Sequence, residues 1–171
     1  MAQEMGLTLA GLPVFDIMCL TEFLIGKRGY EDIRIMGFSG GGLQALYAAA
    51  LDERPGTVFI SGYFHGFKEA LLEMAENCSC NYIPSLRLHF DIQDVAALIA
   101  PRPLVIQSAE SDHLAGRRGL VYVPEPMEEL RCAYSLPGCE DRVYHHIVSG
   151  GHHLEKEGVS EALRKVTGPS A

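Results

Sequence analysis

A serine, an aspartate and a histidine in this 171-residue chain have the types and spacing of a nucleophile, an orienting carboxylate and a base. The serine, Ser39, lies in the segment GFSGG (37–41), which fits G-x-S-x-G between an apolar run and an alanine-rich run. A serine on a tight strand-to-helix turn has strained φ/ψ angles, and flanking glycines remove Cβ atoms that would collide with the crossing backbone. The motif therefore predicts a serine raised on a sharp turn. A phosphate-binding P-loop is disfavoured because no lysine follows the glycines.

The elements that must position these residues follow from hydrophobic periodicity and from Gly and Pro breakers. Strands are predicted at Asp32–Phe38, Thr57–Ser61, Leu104–Gln107 and Val143–Val148. Helices are predicted at Pro13–Ile25, Gly41–Leu51, Phe67–Asn77, Val95–Ala100, Pro124–Leu136 and Glu157–Val166. This alternation predicts an α/β fold, with a parallel sheet of about four strands and helices on both faces. The length favours a single domain over residues 1–171.

Active sites of such sheets lie beyond the carboxyl ends of the strands. Ser39 follows the first predicted strand, Asp112 follows the third and His152 follows the fourth. A serine hydroxyl is a poor nucleophile until a base removes its proton, and an imidazole can accept and return that proton near neutral pH. The carboxylate would hold the imidazole in one tautomer. The backbone N–H of Gly40 would donate to an oxyanion.

Several neighbouring groups compete for these roles. Glu110 is the competing carboxylate, and His153 competes with His152, which is preferred as the first histidine after Gly-Gly. A His-His pair could suggest a metal, but adjacent side chains point apart on a strand or turn. His145 and His146 fall within the last predicted strand, where packing or surface roles are favoured.

Residues that could line a pocket are indicated by position only. Tyr63, Phe64 and Arg102 are the candidates. His65 and His89 could also line the pocket, although structural roles are favoured for them.

Composition excludes several classes of partner. The net charge of −8 argues against nucleic acid and anionic membranes, and no apolar run approaches the roughly 20 residues of a membrane span. The N-terminus lacks a basic region, so a secretory signal is not predicted. The odd number of five cysteines favours reduced thiols in a cytoplasmic protein, and Cys78 and Cys80 are spaced too closely for a usual zinc pair.

Four segments together resemble the α/β-hydrolase superfamily, in particular its dienelactone-hydrolase and acetyl-xylan-esterase-like branch. They are residues 37–50, SGYFHGFKE (61–69), IAPRPLVIQSAESD (99–112) and VSGGHH (148–153). The resemblance covers about Leu12 to His153. It implies a Ser-His-Asp triad on Ser39, His152 and Asp112 that cleaves small carboxylic esters, with no metal or organic cofactor.

The chain departs from that family before the serine strand. Family members carry several further strands there, whereas only 32 residues precede Ile33, and they are mostly helical. We therefore expect the C-terminal half of the fold, without the loop that supplies a second oxyanion N–H. The serine strand becomes a sheet edge. Three arrangements would resolve this: a fragment of a longer product, a homodimer through that edge, or a trimmed hydrolase covered by its N-terminal segment.

Two functions follow from these expectations. The first is a serine esterase that acts through an acyl-enzyme, with activity impaired by the missing part. The second is a catalytically weak or inactive hydrolase-like module that self-associates or pairs with a partner through the exposed edge.

Overall fold

A single parallel sheet organises the structure, a computed structural model that describes residues 3–74 and 77–168. Its strands are β1 (Arg34–Phe38), β2 (Thr57–Ser61), β3 (Leu104–Ala109) and β4 (Val143–Val148). They lie side by side in the order β1-β2-β3-β4, and every pairing is parallel. Consequently the carboxyl ends of all four strands meet at one rim of the sheet.

Helices cover both faces of the sheet, as the sequence predicts. They are α1 (Gly11–Arg28), α2 (Gly40–Leu51), α3 (Ile92–Ala97), α4 (Pro124–Ala133) and α5 (Val159–Thr167). The larger core packs α2, α3 and α4 against side chains such as Val58 and Ile60. The smaller core packs α5 against Phe59 and Val105. Successive residues of a strand point to opposite faces, and helices cover both faces here, so β2 is buried at all five positions. This confirms the prediction that its apolar run is a strand buried on both faces.

The predicted bounds of β2 and β4 are confirmed, and other boundaries shift for local reasons. Helix α1 does not end at Gly26 but continues to Arg28, because Gly29 adopts the left-handed φ of 72° that terminates it. Strand β3 extends two residues beyond its predicted end, to Ala109, through pairing with β4. Helix α4 is shorter than predicted, and α5 is displaced by one to two residues.

Two predicted helices in the middle of the chain were placed wrongly. Helix α3 begins at Ile92 rather than Val95, because Asp91 caps it through a reciprocal bond pattern with Asp94. The segment predicted as a helix over Phe67–Asn77 contains only a π-helical stretch, Lys68–Glu73. Residues 75–76 of that prediction lie outside the described residues.

Strand β1 lies at the edge of the described sheet, as expected because the sequence predicts no strand before it. It pairs with β2, and no other strand lies beside it in the described part of the chain. Helix α1 packs against α2 and cannot pair with the strand backbone. Large apolar side chains remain exposed on α1 and β1: Leu12, Phe15, Leu20, Phe23 and Met36. We call this part of the molecule, α1 with the free edge of β1, the open side.

Within residues 3–74 and 77–168, no helix has both the length and the apolar character needed to cross a bilayer.

Candidate active site

Ser39 occupies the turn between β1 and α2, where it adopts the unusual angles φ 55° and ψ −121°. Its N–H donates to the carbonyl of Ser61 at 2.8 Å, which ties the turn to β2. A Cβ at Gly37 would collide with the backbone carbonyl of Gly41, so glycine is required there. The steric argument fails for Gly41 itself, where a Cβ would meet nothing within 4 Å.

The second required glycine is Gly42, which lies outside the G-x-S-x-G pattern. A Cβ at Gly42 would lie 2.9 Å from the Ser61 carbonyl oxygen and 2.9 Å from the Tyr63 Cβ. The close approach of α2 to β2 therefore depends on this position. Only the third glycine of the run Gly40–Gly42 is fixed by packing.

Asp112 reaches the same rim from the loop after β3. Its side chain is buried, with a relative exposure of 4%. One carboxylate oxygen, Oδ1, accepts the N–H of Leu114 at 2.9 Å, and this bond fixes the orientation of the carboxylate. The competing Glu110 is exposed.

His152 joins the two residues. Its Nδ1 lies 2.8 Å from Asp112 Oδ2, and its Nε2 lies 2.7 Å from Ser39 Oγ. Because an ionised carboxylate only accepts hydrogen bonds, Nδ1–H donates to Asp112, which leaves Nε2 to accept the Ser39 hydroxyl proton. The imidazole also packs on Phe38, with ring centroids 4.8 Å apart.

Of the other histidines, His113 meets the His152 ring edge to face, with ring centroids 5.9 Å apart. The exposed His153 ring contacts the carbonyl of Gly151 at 2.7 Å through Nδ1. His145 and His146 are partly buried in β4, and burial lowers the pKa of His145 to about 4. His89 is exposed. In residues 3–74 and 77–168, no group of three or more His, Cys, Asp or Glu side chains is arranged to hold a metal ion.

A cavity of about 110 Å³ opens beside Ser39. It is lined by Ser39, Gly40, Gly62, Tyr63, His65, Asn77, Cys78, Cys80, Asn81 and Leu114. Of the predicted pocket residues, Tyr63 is present. Phe64 is buried beside a neighbouring cavity, and Arg102 donates to the carbonyl oxygens of Ala49, Asp52 and Pro55.

His65 was assigned a structural role from the sequence, and it lines this cavity. It is 2% exposed, and burial lowers its pKa to about 4 against a smaller opposing effect of Asp112. The ring is therefore neutral at pH 7. It meets Tyr63 edge to face, with centroids 5.2 Å apart.

Three of the lining residues that sequence reasoning missed, Cys78, Cys80 and Asn81, come from one turn, Cys78–Tyr82. Asn81 contributes to the wall beside Ser39 and also to a larger, mainly apolar cavity of about 700 Å³ on its other side. No motif marked this turn, although its two closely spaced cysteines were visible.

The start of α2 faces the cavity. The N–H groups of a first helical turn have no intrahelical acceptor, and they carry the positive end of the helix dipole. Gly40 is the first residue of α2 and lines the cavity with Ser39. Its N–H is therefore free of helix bonding beside the serine hydroxyl. No strand precedes β1 among the described residues.

Known proteins resemble the chain in sequence and in fold. No family model matches the sequence. The Bacillus subtilis (strain 168) protein named "Putative hydrolase YtaP" is 28% identical over 164 residues, which cover 93% of this chain and 54% of that protein.

Solved structures resemble the chain over most of its length. The glucuronoyl esterase catalytic domain from Hypocrea jecorina has a TM-score of 0.70 at 17% identity, over 92% of this chain and 51% of its own. The glucuronoyl esterase from Solibacter usitatus has a TM-score of 0.69 at 19% identity, over 90% and 47%. A Bacteroides fragilis NCTC 9343 protein described as a "putative acetyl xylan esterase" has a TM-score of 0.69 at 18% identity, over 85% and 38%.

The chain spans about half the length of these relatives. Their likeness shows the fold, which is part of an α/β-hydrolase fold, its C-terminal portion. The fold predicted from the sequence is confirmed.

Proposed function

We propose that the chain is a serine hydrolase that cleaves small carboxylic esters through an acyl-enzyme. Ser39 is the nucleophile, His152 the general base and acid, and Asp112 the carboxylate that orients the imidazole. The observation that carries the proposal is the position of the His152 ring, 2.7 Å from Ser39 Oγ and 2.8 Å from Asp112 Oδ2. Relatives named as hydrolases and esterases support ester cleavage.

The reaction begins when His152 Nε2 takes the Ser39 proton as Oγ attacks the ester carbonyl carbon. The imidazolium is stabilised by the buried Asp112 carboxylate. It then protonates the leaving alcohol, and an acyl group remains on Ser39. Water activated by the same imidazole hydrolyses the acyl-enzyme and restores the hydroxyl. Every step uses groups of this chain and water, so the mechanism requires no cofactor.

The oxyanion formed in both tetrahedral intermediates is stabilised by the Gly40 N–H and the amino end of α2. The second donor that related folds take from a loop before the serine strand has no counterpart among the described residues. Loss of one oxyanion donor costs about 10²–10³ in kcat. We therefore propose an impaired turnover for the chain on its own, acting as one truncated domain over residues 1–171 on a small-molecule ester in the cytoplasm.

Turnover of p-nitrophenyl acetate tests this proposal. Ser39→Ala should lower kcat/KM by at least about 10³-fold, since it removes the attacking atom. Ser160→Ala, an exposed serine on α5, is the matched control and should retain the parent rate. A fluorophosphonate probe followed by peptide mapping should label Ser39. Equal turnover by the parent and the Ser39→Ala variant, with no label on Ser39, would end the proposal.

The open side favours a second candidate function, in which the chain is a weakly active module that self-associates. The free edge of β1 offers unpaired backbone groups, and Met36 on that strand is 51% exposed. A two-fold axis beside β1 would pair it antiparallel with the same strand of a second copy. Light scattering after size exclusion tests this, and a strictly monomeric chain rejects it.

A further inference from the structure

Two thiols share the cavity with Ser39, and the hydrolase mechanism uses neither. Cys78 and Cys80 both line the cavity of about 110 Å³, opposite the turn that carries the serine. Both are free, and the other free cysteines, Cys19, Cys132 and Cys139, do not line it. The pair therefore forms part of the wall that a substrate at Ser39 would meet.

Asn81 holds the two thiols in a tight turn. Its N–H and its side-chain amide both donate to the carbonyl of Cys78, at 3.0 Å and 2.9 Å. The same amide nitrogen lies 3.7 Å from Cys80 Sγ. The N–H of Tyr82 closes the turn on the Ser79 carbonyl at 3.2 Å. These bonds fix the backbone of the turn that carries both cysteines at the wall of the cavity.

The two thiols differ in environment. Cys78 is exposed, and its pKa is lowered by the backbone N–H of Cys80 and by a hydrogen bond from the Cys80 thiol. Cys80 is less accessible, and burial together with the neighbouring sulfur raises its pKa to about 11. Cys80 thus remains protonated at pH 7, while Cys78 has more thiolate character than it would have without the hydrogen bonds from Cys80.

We propose that Cys78 is a covalent modification site beside Ser39, where its thiolate attacks a low-molecular-weight disulfide of the glutathione type and the resulting adduct closes the serine cavity. Cys80 acts through Cys78 as a positioning residue, because its thiol donates to the attacking sulfur. The effect on Ser39 rests on the proposed hydrolase function, whereas the chemistry of Cys78 does not.

The exchange balances without another reagent. The Cys78 thiolate bonds to one sulfur of glutathione disulfide, and the S–S bond of the reagent breaks. The second glutathione leaves as a thiolate and takes a proton from solvent. The Cys78 sulfur is oxidised and the departing sulfur is reduced. An excess of a reducing thiol reverses both changes.

The size of the cavity explains the consequence. A volume of about 110 Å³ holds a few water-sized groups, since a water occupies about 30 Å³ of liquid. A glutathionyl tripeptide is larger than a cavity of that volume, and on Cys78 we expect it to extend across the opening. Attack on an ester at Ser39 would then lack space for the substrate.

The test treats the purified chain with glutathione disulfide and maps adducts by mass spectrometry. Cys78→Ser should lose the main adduct, and Cys132→Ser, an exposed thiol on α4, should keep it. Cys80→Ala should slow adduct formation at pH 7 by about threefold for each unit that the Cys78 pKa rises, because the tenfold loss of thiolate is partly offset by higher nucleophilicity. Alkylation of Cys78 by iodoacetamide should have its midpoint at a lower pH in the parent chain than in the Cys80→Ala variant.

Fluorophosphonate labelling of Ser39 in the same samples measures closure of the cavity. The adduct should slow this labelling at least tenfold, and dithiothreitol should restore it. Equal adduct rates at Cys78 and Cys132, or an adduct on Cys78 that leaves Ser39 labelling unchanged, would overturn the proposal. If the unmodified chain is not labelled at Ser39, the hydrolase function fails. The adduct map and the alkylation midpoint then decide the thiol proposal alone.

Discussion

The side chains at the rim of the sheet are hydrogen-bonded and at least partly buried, whereas those on the open side of this molecule are largely exposed. At the rim, His152 is bonded through both ring nitrogens, and the carboxylate it contacts is 4% exposed. On the open side, Phe15 is 65% exposed and Phe23 is 50% exposed on α1, and β1 has one unpaired edge. The chain thus completes its polar constellation while leaving an apolar helix face without a cover.

This difference has a structural cause. Each residue of the constellation follows β1, β3 or β4, and β2 joins these strands through continuous parallel pairing. Helix α1 contributes no side chain to the cavity beside Ser39. The positions of Ser39, Asp112 and His152 therefore depend on the four strands and their turns, whereas the second oxyanion donor of related folds would come from before β1. Substitutions at the rim should change the rate of ester turnover, whereas substitutions on the open side should change the self-association of the chain.

The largest effect is expected for Asp112→Asn. An asparagine keeps the shape of the side chain but no longer holds His152 in the tautomer that accepts the Ser39 proton. The kcat for p-nitrophenyl acetate should fall about 10⁴-fold, as measured by initial rates. Glu110→Gln, at the exposed competing carboxylate, is the matched control and should change kcat less than about twofold. If Glu110→Gln lowered kcat as much as Asp112→Asn, the assignment of Asp112 as the orienting carboxylate would be wrong.

A substitution of His65 is expected to have an intermediate effect, on the pH dependence of the free energy of unfolding rather than on the rate of turnover. Its folded pKa of about 4 lies below the ordinary value of about 6.5, so the unfolded chain binds more protons between these pH values. The stability that His65 contributes is complete above about pH 6.5 and is lost as the pH falls towards 4. The loss has an upper limit of about 3 kcal/mol.

Urea denaturation between pH 5 and 6.5 measures this dependence. His65→Asn should reduce the slope of unfolding free energy against pH, by at most about 1.4 kcal/mol per unit. His153→Asn, at an exposed histidine, should leave the slope unchanged. His145 in β4, whose pKa burial also lowers to about 4, keeps its own contribution in both chains, so only the difference in slope reports on His65. A slope equal to that of the parent would mean that His65 does not contribute to the acid sensitivity.

The two regions also differ in how far the sequence alone predicts them. The three residues at the rim could be placed because parallel strands bring their carboxyl ends together, so chain order and apolar runs were sufficient. The turn that carries Cys78, Asn81 and the second wall of the cavity could not be predicted. Its shape comes from the side-chain bonds of Asn81 and from irregular packing, which leave no periodic signal.

The glycines around Ser39 show the same limit of prediction from sequence. The motif marks Gly37 and Gly41 alike, yet packing requires glycine at Gly37 and Gly42. Which glycine is required depends on the distance between α2 and β2, and that distance is set by residues far apart in the chain. The edge position of β1 was predictable from the family resemblance, because the strands that lie beside the serine strand in family members are not predicted in this sequence.

The smallest effect on folding and rate is expected on the open side, from Phe15→Lys combined with Phe23→Lys. Both side chains are largely exposed, so the free energy of unfolding of the monomer should change by no more than about 0.5 kcal/mol for each substitution. Turnover should stay within about twofold of the parent, because α1 provides no side chain to the cavity beside Ser39.

If the open side pairs two copies, light scattering should show a dimer for the parent and a monomer for the double variant. Leu136→Lys, at an exposed apolar residue after α4, should leave the dimer intact. A parent chain that is monomeric at all concentrations, or a double variant that loses turnover, would remove the distinction between the two regions.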